Sequence, residues 1–159
     1  MLAPPIAQVW HDEWGIIHAD MRTWLRTLLS HAAHWVPRHF ELGFGIPADT
    51  QHYDPDSQPE PLRLPGGFLL RGAVDCIEHH TTHDTLRVID WKTGRNDITT
   101  RLVIGGGETL QPVLYSLAVE AALGKPVAEA RLSFCTTRGG FTEHTVPITR
   151  TAHTAAAYT

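Results

Sequence analysis

The sequence predicts a mixed α/β domain, a central mixed sheet flanked by helices. Two stretches repeat apolar residues at three- and four-residue steps, the period of a helix with one buried face. Several short runs rich in Val, Ile and Leu stand between turn residues, as strands do. Their order is helix, strand, loop, strand, strand, helix, strand, strand. The 159 residues, 42% of them hydrophobic, suffice to bury roughly 70% of the unfolded surface. One domain over residues 1–159 is therefore expected.

The first helix is expected over residues 11–35, where Trp14, Ile17, Met21, Trp24, Leu25, Leu28, Ala32 and Trp35 recur at helical steps. Asp12 suits its first turn, and Pro37 disfavours helix in the residue before it. Residues 38–46 alternate and hold aromatics, as a strand does. Residues 47–65 carry five prolines among Asp, Gln and Ser, which reads as a surface loop or insertion. Residues 66–79 and 85–93 form two strands, joined by His80–Asp84 as an antiparallel hairpin. Residues 94–108 are polar and then glycine-rich, a loop. The second helix spans 109–123, with Thr109 as N-cap and Pro112 tolerated in the first turn. Leu110, Leu114, Leu117, Ala118 and Ala121 give its buried stripe, and Gly124 and Pro126 stop it. Strands at 129–137 and 141–148 enclose an Arg138-Gly139-Gly140 turn. The tail 149–159 has weak helical character.

Composition removes several function classes. No apolar run nears the ~20 residues that span a bilayer. The opening Met1-Leu2-Ala3-Pro4-Pro5 lacks the basic start of a secretory signal, so a cytoplasmic protein with no membrane partner is expected. Cys76 and Cys135 are too few for a disulfide framework or, alone, a zinc site. No Gly-x-x-x-x-Gly-Lys-Ser/Thr stretch exists, which excludes a P-loop motor in these residues. A net charge of −4 argues against nucleic acid by charge alone. That argument weakens where a bound cation supplies the positive centre.

The chemistry concentrates in Gly72-Ala73-Val74-Asp75 and Arg87-Val88-Ile89-Asp90-Trp91-Lys92-Thr93-Gly94. A hairpin turn centred on Thr81-Thr82 pairs residue 75 with 88. Alternation then puts Asp75, Asp90 and Lys92 on one face, with the two acids diagonal neighbours. A slip of one residue would separate them. Two carboxylates ~5 Å apart at an effective dielectric near 20 repel by about 3 kcal/mol, so a proton, Lys92 or a cation must offset the charge. Magnesium favours carboxylate and carbonyl oxygens, and the Trp91 main-chain carbonyl could join the two acids. Lys92 would lie beside the metal-bound water, a layout for phosphodiester hydrolysis. Read singly, Asp-x-Lys on a strand is also a common surface ion pair. Gln111 and Tyr115, four apart on the second helix, share a face. They point at a DNA phosphate or at Lys92, or else Tyr115 is an ordinary half-buried aromatic.

Asp75, then Asp90-Trp91-Lys92, then Gln111-x-x-x-Tyr115 resemble, in this order, the PD-(D/E)XK nuclease superfamily. They are most similar to its RecB/AddB-type exonuclease branch, with Gly-x-x-Asp, Ile-Asp-Tyr-Lys-Thr-Gly and Gln-x-x-x-Tyr; Trp91 replaces the usual Tyr. Phe40-Glu41-Leu42-Gly43-Phe44-Gly45 resembles the upstream Glu-containing strand, so the likeness spans about residues 38–148. It implies a restriction-endonuclease-like core, with Asp75 and Asp90 as metal-binding acids and Lys92 as catalytic lysine. Gln111 and Tyr115 would support the site and contact DNA, and Glu41 would be an upstream catalytic acid. It further implies Mg2+ or Mn2+, a DNA substrate, a helicase domain or subunit as partner, and a role in DNA end processing and recombinational repair.

Two features of the branch are absent. Gly15-Ile16-Ile17-His18 is one residue short of its Gly-x-x-x-His motif, and no clustered cysteines support an iron–sulfur cluster. These gaps lead to the expectation of a fragment of a larger helicase–nuclease or a reduced member. The alternative is an inactive module of the same fold that binds DNA or a partner. His79, His80 and His83 read as solvated turn residues, and Gly105-Gly106-Gly107 as a flexible loop. Arg95, Arg101, Arg131 and Arg138 are either phosphate contacts or solvated arginines.

Overall fold

The computed structural model describes residues 7–31, 33–46, 53–64, 66–98 and 110–148. Helix α1 (Ala7–His31) precedes strand β1 (Trp35–Phe44). A small two-stranded ribbon follows, β2 (Leu62–Arg63) and β3 (Leu69–Leu70). Then come β4 (Gly72–His80), β5 (Leu86–Lys92), helix α2 (Leu110–Leu123), β6 (Val127–Phe134) and β7 (Glu143–Pro147). The main sheet has the order β1-β4-β5-β6-β7. Only β5 and β6 pair in parallel, with α2 as their crossover. The expected mixed α/β architecture with a central mixed sheet is the one observed. No helix among the described residues is long and apolar enough to cross a membrane.

The core lies between the sheet and α2. Leu42 and Phe44 from β1, Val74 and Ile77 from β4, and Leu86 and Val88 from β5 meet Val113, Leu117 and Val119. Strand β5 is buried continuously from Leu86 to Asp90, as befits a central strand covered on both faces. The Leu-based stripe expected for α2 is partly displaced. Val113, Ser116, Leu117, Ala118 and Val119 are buried whereas Ala121 is exposed. A helix apolar on nearly every side offers more than one face, and tertiary packing selects among them.

The opposite face of the sheet is more loosely covered. Helix α1 meets it through Trp24, edge-on to Trp91 at 5.2 Å, and through Asp20, which accepts from the Thr137 N–H at 3.1 Å. Between them is a cavity of 390 Å3 lined by Leu25, Leu28, Trp35, Phe40, Cys76 and Ile89 among others. An ion-pair ladder crosses the same face of the sheet. Arg87, 3% exposed, pairs with Glu78 and with Glu129, and Arg131 links Glu129 to Glu143.

Two boundaries differ from expectation for one reason. The helix ends at His31, Trp35 opens β1, and Pro37 lies within that strand. Proline is tolerated there because β1 is an edge strand and its pairing with β4 shifts between Pro37 and His39. Trp35, expected on the helix, instead covers the Arg87 guanidinium at 4.4 Å. The last pair of strands is also shorter than expected, Val127–Phe134 and Glu143–Pro147, because a 3-10 turn at Thr137–Gly139 begins earlier. Residue 109, the Gly105–Gly107 run, Arg101 and the tail beyond 148 lie outside the described residues.

Candidate active site

Strands β4 and β5 pair Cys76 with Ile89 and Ile77 with Val88. Continued by one step, this register sets Asp75 directly opposite Asp90, where the sequence expectation made them diagonal. The hairpin turn is centred one residue further along, so the pairing moves by two. A move of two preserves which face each side chain takes, and the grouping of Asp75, Asp90 and Lys92 therefore survives the correction.

Asp90 is 4% exposed, and its Oδ2 forms an ion pair with the Lys92 ammonium. That oxygen is fully buried and accepts no well-directed hydrogen bond. Its second oxygen, Oδ1, accepts from Gln111 Nε2 at 3.1 Å. The same amide nitrogen donates to the Tyr115 hydroxyl at 3.1 Å, and Lys92 Nζ donates to Gln111 Oε1 at 3.4 Å. Gln111 thus reaches Lys92 and Asp90, one of the two directions expected of it. Burial pushes the Asp90 carboxyl above its ordinary range; Lys92 pulls it back and the Asp75 charge adds to the rise.

Asp75 is held from the main chain. Its Oδ2 accepts the Trp91 N–H at 2.6 Å. Trp91 therefore enters through its amide nitrogen, while its indole lies on the far side of the sheet, near Trp24 and 6.4 Å from Phe40. The end of β5 is fixed further by Cys135, whose N–H donates to the Lys92 carbonyl at 3.0 Å.

Glu41 lies between the pairs Phe40–Cys76 and Leu42–Val74, so it faces Asp75 across the β1–β4 ladder. Its φ of 53° is left-handed, a conformation uncommon outside glycine. The twist turns Phe40 toward the α1 side while Leu42 and Phe44 enter the core. Partial burial lifts the Glu41 carboxyl, and the neighbouring Asp75 charge lifts it further.

The other residues singled out in the sequence lie elsewhere. His18 packs on Trp14 of α1 at 5.3 Å. His79 bonds Asp84, and His80 stacks among His34, Trp35 and His83. Arg131 is held between Glu129 and Glu143, which removes it as a ready phosphate contact. Burial pushes the Cys76 thiol up to about 12, an inert packing group.

One group escaped sequence reasoning. His39 Nδ1 lies 3.3 Å from Asp54 Oδ1 and 3.6 Å from Asp56 Oδ2. The three donors are close enough to share a cation, yet Asp54 already accepts from the Phe40 and Asp56 N–H groups. Those bonds tie the 53–58 segment to β1. No spacing signal could reveal the group, because Asp54 lies fifteen positions beyond His39, inside a stretch read as a loop.

Hard oxygen donors on adjacent strands, one of them buried and lacking a directed hydrogen bond, fit a magnesium-like ion. Such ions take one or two carboxylates and leave other positions to water and substrate oxygens. Among proteins of known role, no curated sequence matches the chain. The family model of the PD-(D/E)XK nuclease superfamily matches residues 3–157. The chain belongs to that superfamily.

Proposed function

We propose that this member of a nuclease superfamily hydrolyses DNA phosphodiester bonds with Mg2+ or Mn2+, as an exonuclease domain of the RecB/AddB type. On this reading it serves DNA end processing and recombinational repair beside a helicase domain or subunit, in the cytoplasm. One observation carries the chemistry. Asp75 and Asp90 from neighbouring strands share a face with Lys92, and the Asp90 oxygen nearest Lys92 is buried without a directed hydrogen bond.

Asp75 and Asp90 would hold the ion, with the Trp91 main chain completing one side and Glu41 beside Asp75. When bound, the ion polarises the phosphate and lowers the pKa of its water. Lys92, with its side chain 36% exposed, presents its ammonium to the phosphoryl oxygens on which charge develops. Gln111 keeps Lys92 and Asp90 at a fixed spacing, and Tyr115 orients the Gln111 amide. The Trp91 N–H holds the Asp75 carboxylate against the end of β5.

Digestion of linear and circular DNA, with and without divalent ions, tests the reading. Asp90→Ala and Lys92→Ala should abolish metal-dependent cleavage while circular dichroism stays native. If both variants digest DNA as fast as the parent, the assignment is wrong. A second reading, an inactive module of the same fold, draws on the Lys92–Asp90 ion pair, which already neutralises one acid. Calorimetry decides between them: an active site binds magnesium and loses that binding in Asp75→Asn, whereas an inert module shows no such heat.

A further inference from the structure

Among the described residues, only His39, Asp54 and Asp56 bring three metal-ligating atoms within 4.8 Å of one another. His39 Nδ1 lies 3.3 Å from Asp54 Oδ1 and 3.6 Å from Asp56 Oδ2. A tetrahedral zinc ion with bonds of ~2.0–2.2 Å sets its ligand atoms roughly 3.3–3.6 Å apart. The two edges that meet at His39 therefore have the length of a coordination shell. A cavity of 380 Å3 opens beside His39 and Asp56, lined also by Arg38, His79, Leu86 and Lys125. It gives an ion a way in and leaves room for a water at the fourth position.

The charges point the same way. A ring nitrogen carries one proton at most, so Nδ1 can donate to only one of the two carboxylates. No lysine or arginine among the described residues pairs with either acid. The Asp54 side chain is only 9% exposed, so water relieves little of its charge. Asp56 has its side chain 67% exposed, yet its carboxylate lies toward His39. Two acids converging on one nitrogen exceed what a proton satisfies, whereas a divalent ion balances both. The hydrogen bonds to Asp54 orient it without blocking it. Oδ2 accepts the Phe40 N–H at 3.3 Å, and Oδ1 accepts the Asp56 N–H at 2.9 Å and keeps a second lone pair. Such bonds are the outer-shell supports that ligating carboxylates have. An imidazole donor suits zinc and not magnesium, which prefers oxygen throughout.

We propose that His39 Nδ1, Asp54 Oδ1 and Asp56 Oδ2 bind a zinc ion, with water as fourth ligand, at a site separate from the Asp75–Asp90 pair. The ion fastens the 53–58 segment to the edge strand β1. That segment already lies along it: the Asp54 N–H donates to the Glu41 carbonyl at 3.1 Å, and the Gly43 N–H to Ser57 Oγ at 2.9 Å.

Zinc titration calorimetry of the untagged full chain carrying Asp75→Asn, which disables the candidate active-site ion, tests the proposal. That chain should bind one zinc equivalent. Zinc at a hundredfold excess over its dissociation constant should raise the melting temperature by roughly 5–10 °C. Adding His39→Ala should remove the equivalent and the rise. Adding Asp56→Asn, a change at an exposed side chain, should weaken binding at least about tenfold while circular dichroism stays native. Cobalt in place of zinc should show the visible absorption of a four-coordinate ion, and lose it in His39→Ala. No zinc binding by the Asp75→Asn chain, or unchanged binding in both His39→Ala and Asp56→Asn, would overturn the site and leave an ion pair only. Zinc lost in His80→Ala but kept in His39→Ala would place it among the stacked rings of His34, His80 and His83 and overturn it too. Every chain in the series carries Asp75→Asn, so none of these outcomes decides the nuclease reading.

Discussion

Gln111 gives the most direct handle on how the site is held. Its amide touches three groups: Asp90 Oδ1 and Tyr115 Oη at 3.1 Å each, and Lys92 Nζ at 3.4 Å. Gln111→Leu keeps the bulk and removes all three. The bond to Asp90 is charge-assisted and reaches a buried carboxylate, so its loss costs about 1.5–3 kcal/mol. The long contact to Lys92 adds only a fraction, and the added apolar surface of Leu restores some stability. A net loss of about 1–2 kcal/mol in folding free energy follows, readable as a lowered urea midpoint at unchanged m-value. Activity should suffer more. Lys92 and Asp90 lose the group that sets their spacing, and kcat should fall about 10- to 100-fold with KM for DNA within about twofold, the pattern of a lost transition-state interaction. Steady-state digestion of a linear substrate at saturating Mg2+ measures both. A Gln111→Leu protein with kcat within twofold of the parent would refute the view that this amide organises the acids and the lysine.

Other outcomes follow from the same arrangement of side chains. Burial raises the Asp90 carboxyl above its ordinary value near 3.8. The favourable contribution of that group is complete below the unfolded value and is lost as pH rises through the folded one. Asp90→Asn should therefore melt higher than the metal-free parent at pH 7–8, with the advantage vanishing below about pH 4; calorimetric scans across that range check the sign. Magnesium at ten times its dissociation constant should stabilise the parent by about 1.4 kcal/mol, a rise of roughly 3–6 °C, and should leave Asp75→Asn unmoved. Arg87→Ala strands the buried Glu78 carboxylate and should cost about 3–5 kcal/mol in urea unfolding; a cost under 1 kcal/mol would mean that the ladder is not maintained in solution.

The most legible parts were those governed by short periods. Helix α2 was expected at 109–123 and is described over Leu110–Leu123, because Pro112, Gly124 and a dense apolar run mark both ends. The face shared by Asp75, Asp90 and Lys92 was legible because alternation depends only on parity. The register was not, since it hangs on where the His80–Asp84 turn is centred, and several polar residues there suit a bend equally well. Pro37 misled for a physical reason: it breaks a helix and is also tolerated on an edge strand beside an irregular pair. The His39–Asp54–Asp56 group and the side taken by the Trp91 indole depend on contacts between distant segments, on which local patterns are silent. The left-handed backbone at Glu41 likewise left no trace in its residue type.

Trp91 has a practical consequence for spectroscopy. The five tryptophans of the chain are 10, 14, 24, 35 and 91. The first three ride on α1, and Trp35 and Trp91 line the cavity beneath it. Tryptophan emission therefore reports on the α1 side of the sheet, and no indole among the described residues lies on the acidic surface, which is linked to that signal by a single relay. That relay is the peptide unit of Trp91, whose N–H clasps Asp75 while its ring abuts Trp24. A quenched or shifted indole signal on adding a divalent ion would be heard across the thickness of one β-strand, without any dye attached.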